Sequence, residues 1–259
     1  MDWNLLYPDA NEQPLDRLVN GYSNTAIFRT IAFVGDSLSS GEFETRDAEG
    51  RPGYHDMYEY SWGQYIARQN GLKGYNFSRG GMTAREYLQS FAESRDFWNP
   101  DKASQAYVIA LGVNDIYNQN QEVGTVADID PADWRKNRDT FCGNYAAIVS
   151  RYREISPEAK FFFVTFPDDD LWQPKTKAQS HVAAIYALAE YFGAYVIDLH
   201  RYAPRYDQKF REYFNLYGHF NASGYILAAR IIDSYIDYIV RHNREDFQFV
   251  PFINSGIAH

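Results

Sequence analysis

A single cysteine, Cys142, stands in 259 residues, so the chain forms no internal disulfide and offers no thiolate cluster to a metal. Positive charge is also scarce. Against 34 Asp and Glu there are 25 Lys and Arg, a formal charge of −9. That balance argues against nucleic acid or an anionic membrane as a partner, because both require a basic footprint. Long apolar runs are missing, since no stretch reaches the roughly 20 residues of a membrane-spanning helix. The amino terminus, Met1-Asp2-Trp3-Asn4-Leu5-Leu6-Tyr7-Pro8-Asp9, has no basic region followed by an apolar one. The sequence therefore reads as cytoplasmic, a reading that a secreted chain trimmed of its leader would share. Phosphate loops, dinucleotide fingerprints and Gly-x-Ser-x-Gly elbows are absent as well. His55, His181 and His200 lack carboxylate or cysteine partners at ligand spacing, so neither a metal nor another cofactor is expected.

Apolar and aromatic residues are plentiful. Hydrophobic residues make up 45% of the chain, enough for a sizeable core, and no linker or repeat divides it, so one domain over 1–259 is expected. Five short apolar runs (31–34, 74–77, 106–111, 161–166 and 194–199) are continuous rather than alternating, the pattern of parallel strands covered on both faces. Helical spacing falls between them. Trp62, Tyr65 and Ile66 begin one helix, and Tyr87, Leu88 and Phe91 mark a second. Phe141, Tyr145, Ile148 and Tyr152 mark a third, Val182, Ile185, Leu188 and Phe192 a fourth, and 222–242 forms the last. Alternating strand and helix predicts a three-layer α/β/α sandwich over a core of about 30–242, with an amino-terminal extension and a carboxy-terminal tail packed on it. Three long connections (40–60, 112–133 and 200–218) follow carboxyl ends of strands, where open α/β sheets bind ligands. The first carries Phe43, Tyr54, Tyr58 and Tyr60. With 22 tyrosines in the chain, such rings could line a sugar site, although packing is the commoner use of any one of them.

Four short blocks carry the chemistry. Gly35-Asp36-Ser37-Leu38 follows the first strand, where a serine could be presented as a nucleophile or could simply cap a turn. Asn76-Phe77-Ser78-Arg79-Gly80-Gly81 follows the second, with glycines that let a backbone N–H approach a ligand. Gly112-Val113-Asn114-Asp115 brings a side-chain amide to the same sheet edge. His219-Phe220-Asn221-Ala222-Ser223-Gly224-Tyr225 places a histidine just before the last helix. Each block is weak alone, but four in this order at one edge point to an active site.

Together these blocks resemble the SGNH hydrolase superfamily, the GDSL esterases and lipases, over about residues 30–242. The resemblance implies a flavodoxin-like sandwich with a five-stranded parallel sheet of order 2-1-3-4-5. It also implies that Ser37 is the nucleophile and His219 the general base. The oxyanion hole would comprise the N–H groups of Ser37 and Gly81 and the side chain of Asn114. Asp36 would accept nearby backbone N–H groups and shape the nucleophile turn, and Asp198 would cap the turn after the fifth strand.

The chain departs from the family at one position. The acid of the triad usually lies three residues before the histidine, where Leu216 stands here. The expectation is a Ser–His dyad with the imidazole held by a backbone carbonyl of Leu216 or Asn215. Asp168, Asp169 or Asp170 is the alternative if a distant carboxylate substitutes. The expected activity is hydrolysis of a small-molecule ester through an acyl-enzyme, with an acetyl-type group on a sugar preferred. A longer-chain lipase or thioesterase, or an inactive carbohydrate-binding module on the same fold, stands against it. Oligomeric state is not legible in the sequence.

Overall fold

The computed structural model describes residues 7–247, so 1–6 and 248–259 of the expected extension and tail lie outside the described residues. Among the described residues nine strands occur in chain order: β1 (Thr30–Gly35), β2 (Glu42–Arg46), β3 (Pro52–Asp56), β4 (Lys73–Ser78), β5 (Ala106–Ala110), β6 (Lys160–Val164), β7 (Tyr195–Ile197), β8 (Asn215–Leu216) and β9 (His219–Phe220). The main sheet is parallel, in the order β4-β1-β5-β6-β7. Counting only its own strands along the chain, that order is 2-1-3-4-5; the antiparallel hairpin β2–β3 merely intervenes in the numbering.

Side-chain alternation assigns the two faces of the sheet. Ile31, Phe33, Val108 and Phe162 pack with Trp62 and Ile66 of helix Trp62–Asn70 and with Ile232 and Ile236 of helix Ala222–His242. Ala32, Val34, Tyr107, Ile109 and Phe163 pack on the other face with Tyr145 and Ile148 of helix Phe141–Ile155 and with Ile185 and Leu188 of helix Lys175–Phe192. Each buried aliphatic or aromatic side chain here contributes roughly 1.5–3 kcal/mol. Tyr87, Tyr107, Tyr145, Tyr152 and Tyr225 are among the largest fully buried side chains, so much of the tyrosine content serves packing.

Of the amino-terminal segment, Glu12 pairs with Arg241 at 2.6 Å, and Val19 N–H donates to Ser234 Oγ, tying this segment to helix Ala222–His242. Two expected loops are in fact structured. Within 40–60 lie the hairpin β2–β3 and the turn Tyr58–Tyr60; within 200–218 lie helix Gln208–Phe214 and strand β8. The polar run Glu-Phe-Glu-Thr-Arg conceals β2, because its buried positions are carboxylates rather than apolar residues. Among the described residues no helix is long and apolar enough to cross a membrane.

Candidate active site

The parallel register brings the carboxyl ends of the strands level: Gly35 pairs with Ser78 on one side and Ala110 on the other. The chain turns there directly from β1 into the short helix Ser37–Ser40, whose first residue is Ser37. Asp36 caps that turn, its carboxylate accepting Leu38 N–H at 3.2 Å. The Ser37 N–H stands at the first helical position, where no earlier carbonyl of the helix is in reach. Burial pushes the Asp36 carboxyl up to about 6, against the opposing pull of Leu38 N–H and the His219 charge.

Gly81 has φ +72, and a Cβ placed on it would meet nothing within 4 Å. Its glycine identity therefore answers to backbone conformation rather than to crowding. Asn114 opens a π-helical turn, Asn114–Asn118, after β5. One amide N–H of Asn114 donates to Met82 O at 3.1 Å, and the amide lies 3.5 Å from Asp36 Oδ2. Its oxygen accepts Asn118 Nδ2 at 2.6 Å, which fixes the amide with nitrogen toward the glycine loop. Asp115 joins the two loops by accepting Ala84 N–H at 2.9 Å, and burial raises its carboxyl to about 7.

His219 begins β9, and two carboxylates of β2 meet it. Glu42 Oε1 lies 3.0 Å from Nε2 and Glu44 Oε2 lies 3.4 Å from Nδ1. The Tyr54 ring, 5.8 Å away, meets the imidazole edge-on. Burial alone would lower the imidazole pKa, but Glu42 and then Glu44 outweigh it and raise the pKa above the ordinary value. Glu42 packs so closely over Gly80 that a Cβ there would sit 1.9 Å from Oε2. Its backbone carbonyl accepts the Tyr225 hydroxyl at 2.6 Å.

Asp36, Ser37, Glu42, Gly81, Asn114 and His219 all line one cavity of about 730 Å³. Its remaining wall is largely apolar, with Leu38, Trp62, Val164, Leu199, Ala228 and Ile232. A sequence model of the GDSL-like lipase/acylhydrolase family matches residues 33–227, which include every one of these polar residues. The chain belongs to that family.

Solved structures share the fold at low identity. A family two carbohydrate esterase from Clostridium thermocellum, solved with cellohexaose, has a TM-score of 0.58 at 18% identity, over 86% of this chain and 67% of that one. For a carbohydrate acetylesterase from Sinorhizobium meliloti the values are 0.56 and 14%, over 82% and 99%. For a Lactobacillus plantarum protein they are 0.59 and 17%, over 81% and 97%. A search of curated proteins returned no match.

Against the family pattern, this GDSL-like chain differs in what contacts its histidine. The expected carbonyl-supported dyad gives way to carboxylates, because both ring nitrogens face glutamates of β2. Leu216 pairs with His219 across the small hairpin but leaves its side chain 39% exposed. Asp168, Asp169 and Asp170 are engaged elsewhere, with Lys175 at 2.7 Å, Arg211, and Arg205 at 2.9 Å respectively. Asp198 caps Leu199–Tyr202 and accepts Thr165 Oγ1 at 3.0 Å. Buried His181 stacks on Phe166 and holds Leu111 O at 3.1 Å, its pKa lowered to about 3 by desolvation. Of the aromatics in 42–60, Tyr54 lines the cavity, whereas Phe43 packs against Tyr60 and Tyr225. Sequence reading missed Glu42 and Glu44, and the available signal was two glutamates at strand spacing a few residues after Ser37.

Proposed function

We propose that this GDSL-family chain is a serine ester hydrolase working through an acyl-enzyme. One observation carries the reading: Ser37, Gly81, Asn114 and His219, from four separate segments, line a single cavity at the carboxyl edge of the sheet. Ser37 Oγ attacks the ester carbonyl as its proton passes to His219 Nε2. The oxyanion forms against the N–H groups of Ser37 and Gly81 and the Asn114 amide. Collapse expels the alcohol, which takes the proton from His219. Water then attacks the acyl carbon as its proton passes to the same nitrogen, and His219 returns that proton to Ser37 Oγ as the acid leaves. Glu42 meets Nε2 at 3.0 Å, so the transfer requires this nitrogen to exchange that contact for one with the serine; catalytic hydrogen bonds often tighten only in the complex.

The preferred substrate carries a small, acetyl-type acyl group on a sugar hydroxyl. Support comes from the carbohydrate esterases among the structural neighbours and from Tyr54, an exposed ring at the cavity. A second reading, a longer acyl chain, is favoured by the apolar wall from Leu38 to Ile232. Hydrolysis of nitrophenyl acetate and octanoate by the intact protein and by Ser37→Ala tests the reaction. Loss of turnover in Ser37→Ala supports it. Equal slow hydrolysis by both proteins, with Ser37 unlabelled by a phosphonate or sulfonyl fluoride, would make the chain a binding module instead.

A further inference from the structure

We infer that strand β2 supplies the carboxylate that the histidine loop lacks, with Glu44 as the residue that positions His219 by accepting its Nδ1 proton. The inference rests on the reading of Ser37 and His219 as the reacting pair and adds the third member from a different part of the chain.

Strand geometry comes first. Residues two apart on a strand share a face, so Glu42 and Glu44 point the same way and Phe43 the other, where it meets Tyr60 and Tyr225. Both glutamates are buried, and an ionised carboxylate so placed needs fixed donors. Glu44 has them. Its Oε2 accepts Gly218 N–H at 2.9 Å and faces His219 Nδ1 at 3.4 Å, while Oε1 takes Arg46. One oxygen therefore holds both the backbone just before the histidine and the ring itself. Arg46 reaches further along the same loop and lies 5.0 Å over the Tyr217 ring. Strand β2 thus grips 217–219 at three successive residues.

The two glutamates are not equivalent. Glu42 meets Nε2, the nitrogen that has to receive the serine proton, and it lines the cavity. Glu44 meets Nδ1, is not among the cavity-lining residues, and is committed to Gly218 and Arg46. When Ser37 passes its proton to Nε2, the charge on the imidazolium is met by Glu44 across Nδ1. The Nδ1 proton stays on its nitrogen, and no further transfer is needed.

The experiment compares Glu44→Gln, Glu44→Asp and Glu42→Gln on a nitrophenyl ester, across pH, with the full chain. The expected result for Glu44→Gln is a fall in kcat of about 10²- to 10⁴-fold with KM changed less than about threefold. Glu44→Asp should recover part of that loss. Because Glu44 acts through His219, adding Glu44→Gln to His219→Ala should cost nothing more. A further loss on that background would make Glu44 merely structural and overturn the assignment. So would a larger kcat loss in Glu42→Gln than in Glu44→Gln. If Glu44→Gln does not fold, Glu44→Asp and Glu42→Asp decide between the residues by the same criterion. NMR titration of His219 separates this inference from the ester-hydrolase reading. Even without turnover, the midpoint should fall in the Glu44 variant, and an unchanged midpoint refutes the contact.

Discussion

Glu42 Oε1 lies 3.0 Å from His219 Nε2, the same nitrogen that would take the proton of Ser37. This contact favours the charged imidazolium, whereas a general base must be neutral. Glu44 at Nδ1 acts in the same direction, and Asp36 at the end of β1 adds negative potential. The folded-state pKa of His219 is raised, so the fraction of competent base grows with pH through a midpoint above the ordinary 6.5. The kcat/KM profile should therefore show its acidic limb displaced upward. Glu42→Gln should move that limb down and raise relative activity on the acidic side of the profile. A profile unmoved by Glu42→Gln would mean that the contact does not control the base.

The proposed oxyanion hole makes a prediction of its own. Asn114 is held by Met82 O and Asn118, so its amide is oriented before substrate arrives. Asn114→Ala should lower kcat by about 10²- to 10³-fold with little change in KM, the pattern of an interaction made mainly in the transition state. Gly81→Ala tests the neighbouring donor differently. Nothing crowds a Cβ there, so the cost, roughly 1–2 kcal/mol, comes from φ +72 in an L-residue. Relaxing that strain turns the N–H away, so rate should fall more than stability. Kinetics beside thermal melts would check both.

Substrate length is testable at the apolar wall. Ala228 and Ile232 sit on helix Ala222–His242 and line the cavity with Leu38 and Val164. If an acyl chain enters there, each buried methylene is worth about 0.8 kcal/mol, roughly fourfold in kcat/KM. Ala228→Phe would then depress octanoate hydrolysis while sparing acetate. For a short-acyl enzyme the intact protein should show no rise from acetate to octanoate, and Ala228→Phe should affect both alike. The series of nitrophenyl esters reads either outcome directly.

How much of this was legible in the sequence depended on where the side chains point. The inner strands of the main sheet are apolar on both faces, so their runs announce themselves, and helix Ala222–His242 shows its buried stripe from Ala229 to Ile239. Ser37, Gly81, Asn114 and His219 sit at the ends of such elements, which made their convergence predictable in kind. Strand β2 broke the rule that buried means apolar. Its inward positions are Glu42 and Glu44, and a strand that buries carboxylates against a histidine has the polarity pattern of a loop. The contact also joins residues 175 apart in sequence, beyond any periodicity, so only the assembled fold reveals it.

Asp36 carries the last prediction, in which stability and activity should part. Its carboxyl is buried beside Ser37, and desolvation raises its pKa from 3.8 to about 6. The sign follows from proton uptake: between these values the folded state binds more protons than the unfolded one, so stability falls as pH rises from about 4 to above 6. Asp36→Asn keeps an oxygen to accept Leu38 N–H and removes the buried charge. At pH 8 the variant should therefore be more stable than the parent, on the order of 2 kcal/mol or several degrees in Tm. At pH 2.5 the advantage should vanish, because the parent is then protonated in both states. Activity should move the other way, since Asp36 also faces the Asn114 amide and helps to position it. Melting curves at the two pH values, read beside kcat, check the argument. A variant equally stabilised at both would show that the gain does not come from the buried charge.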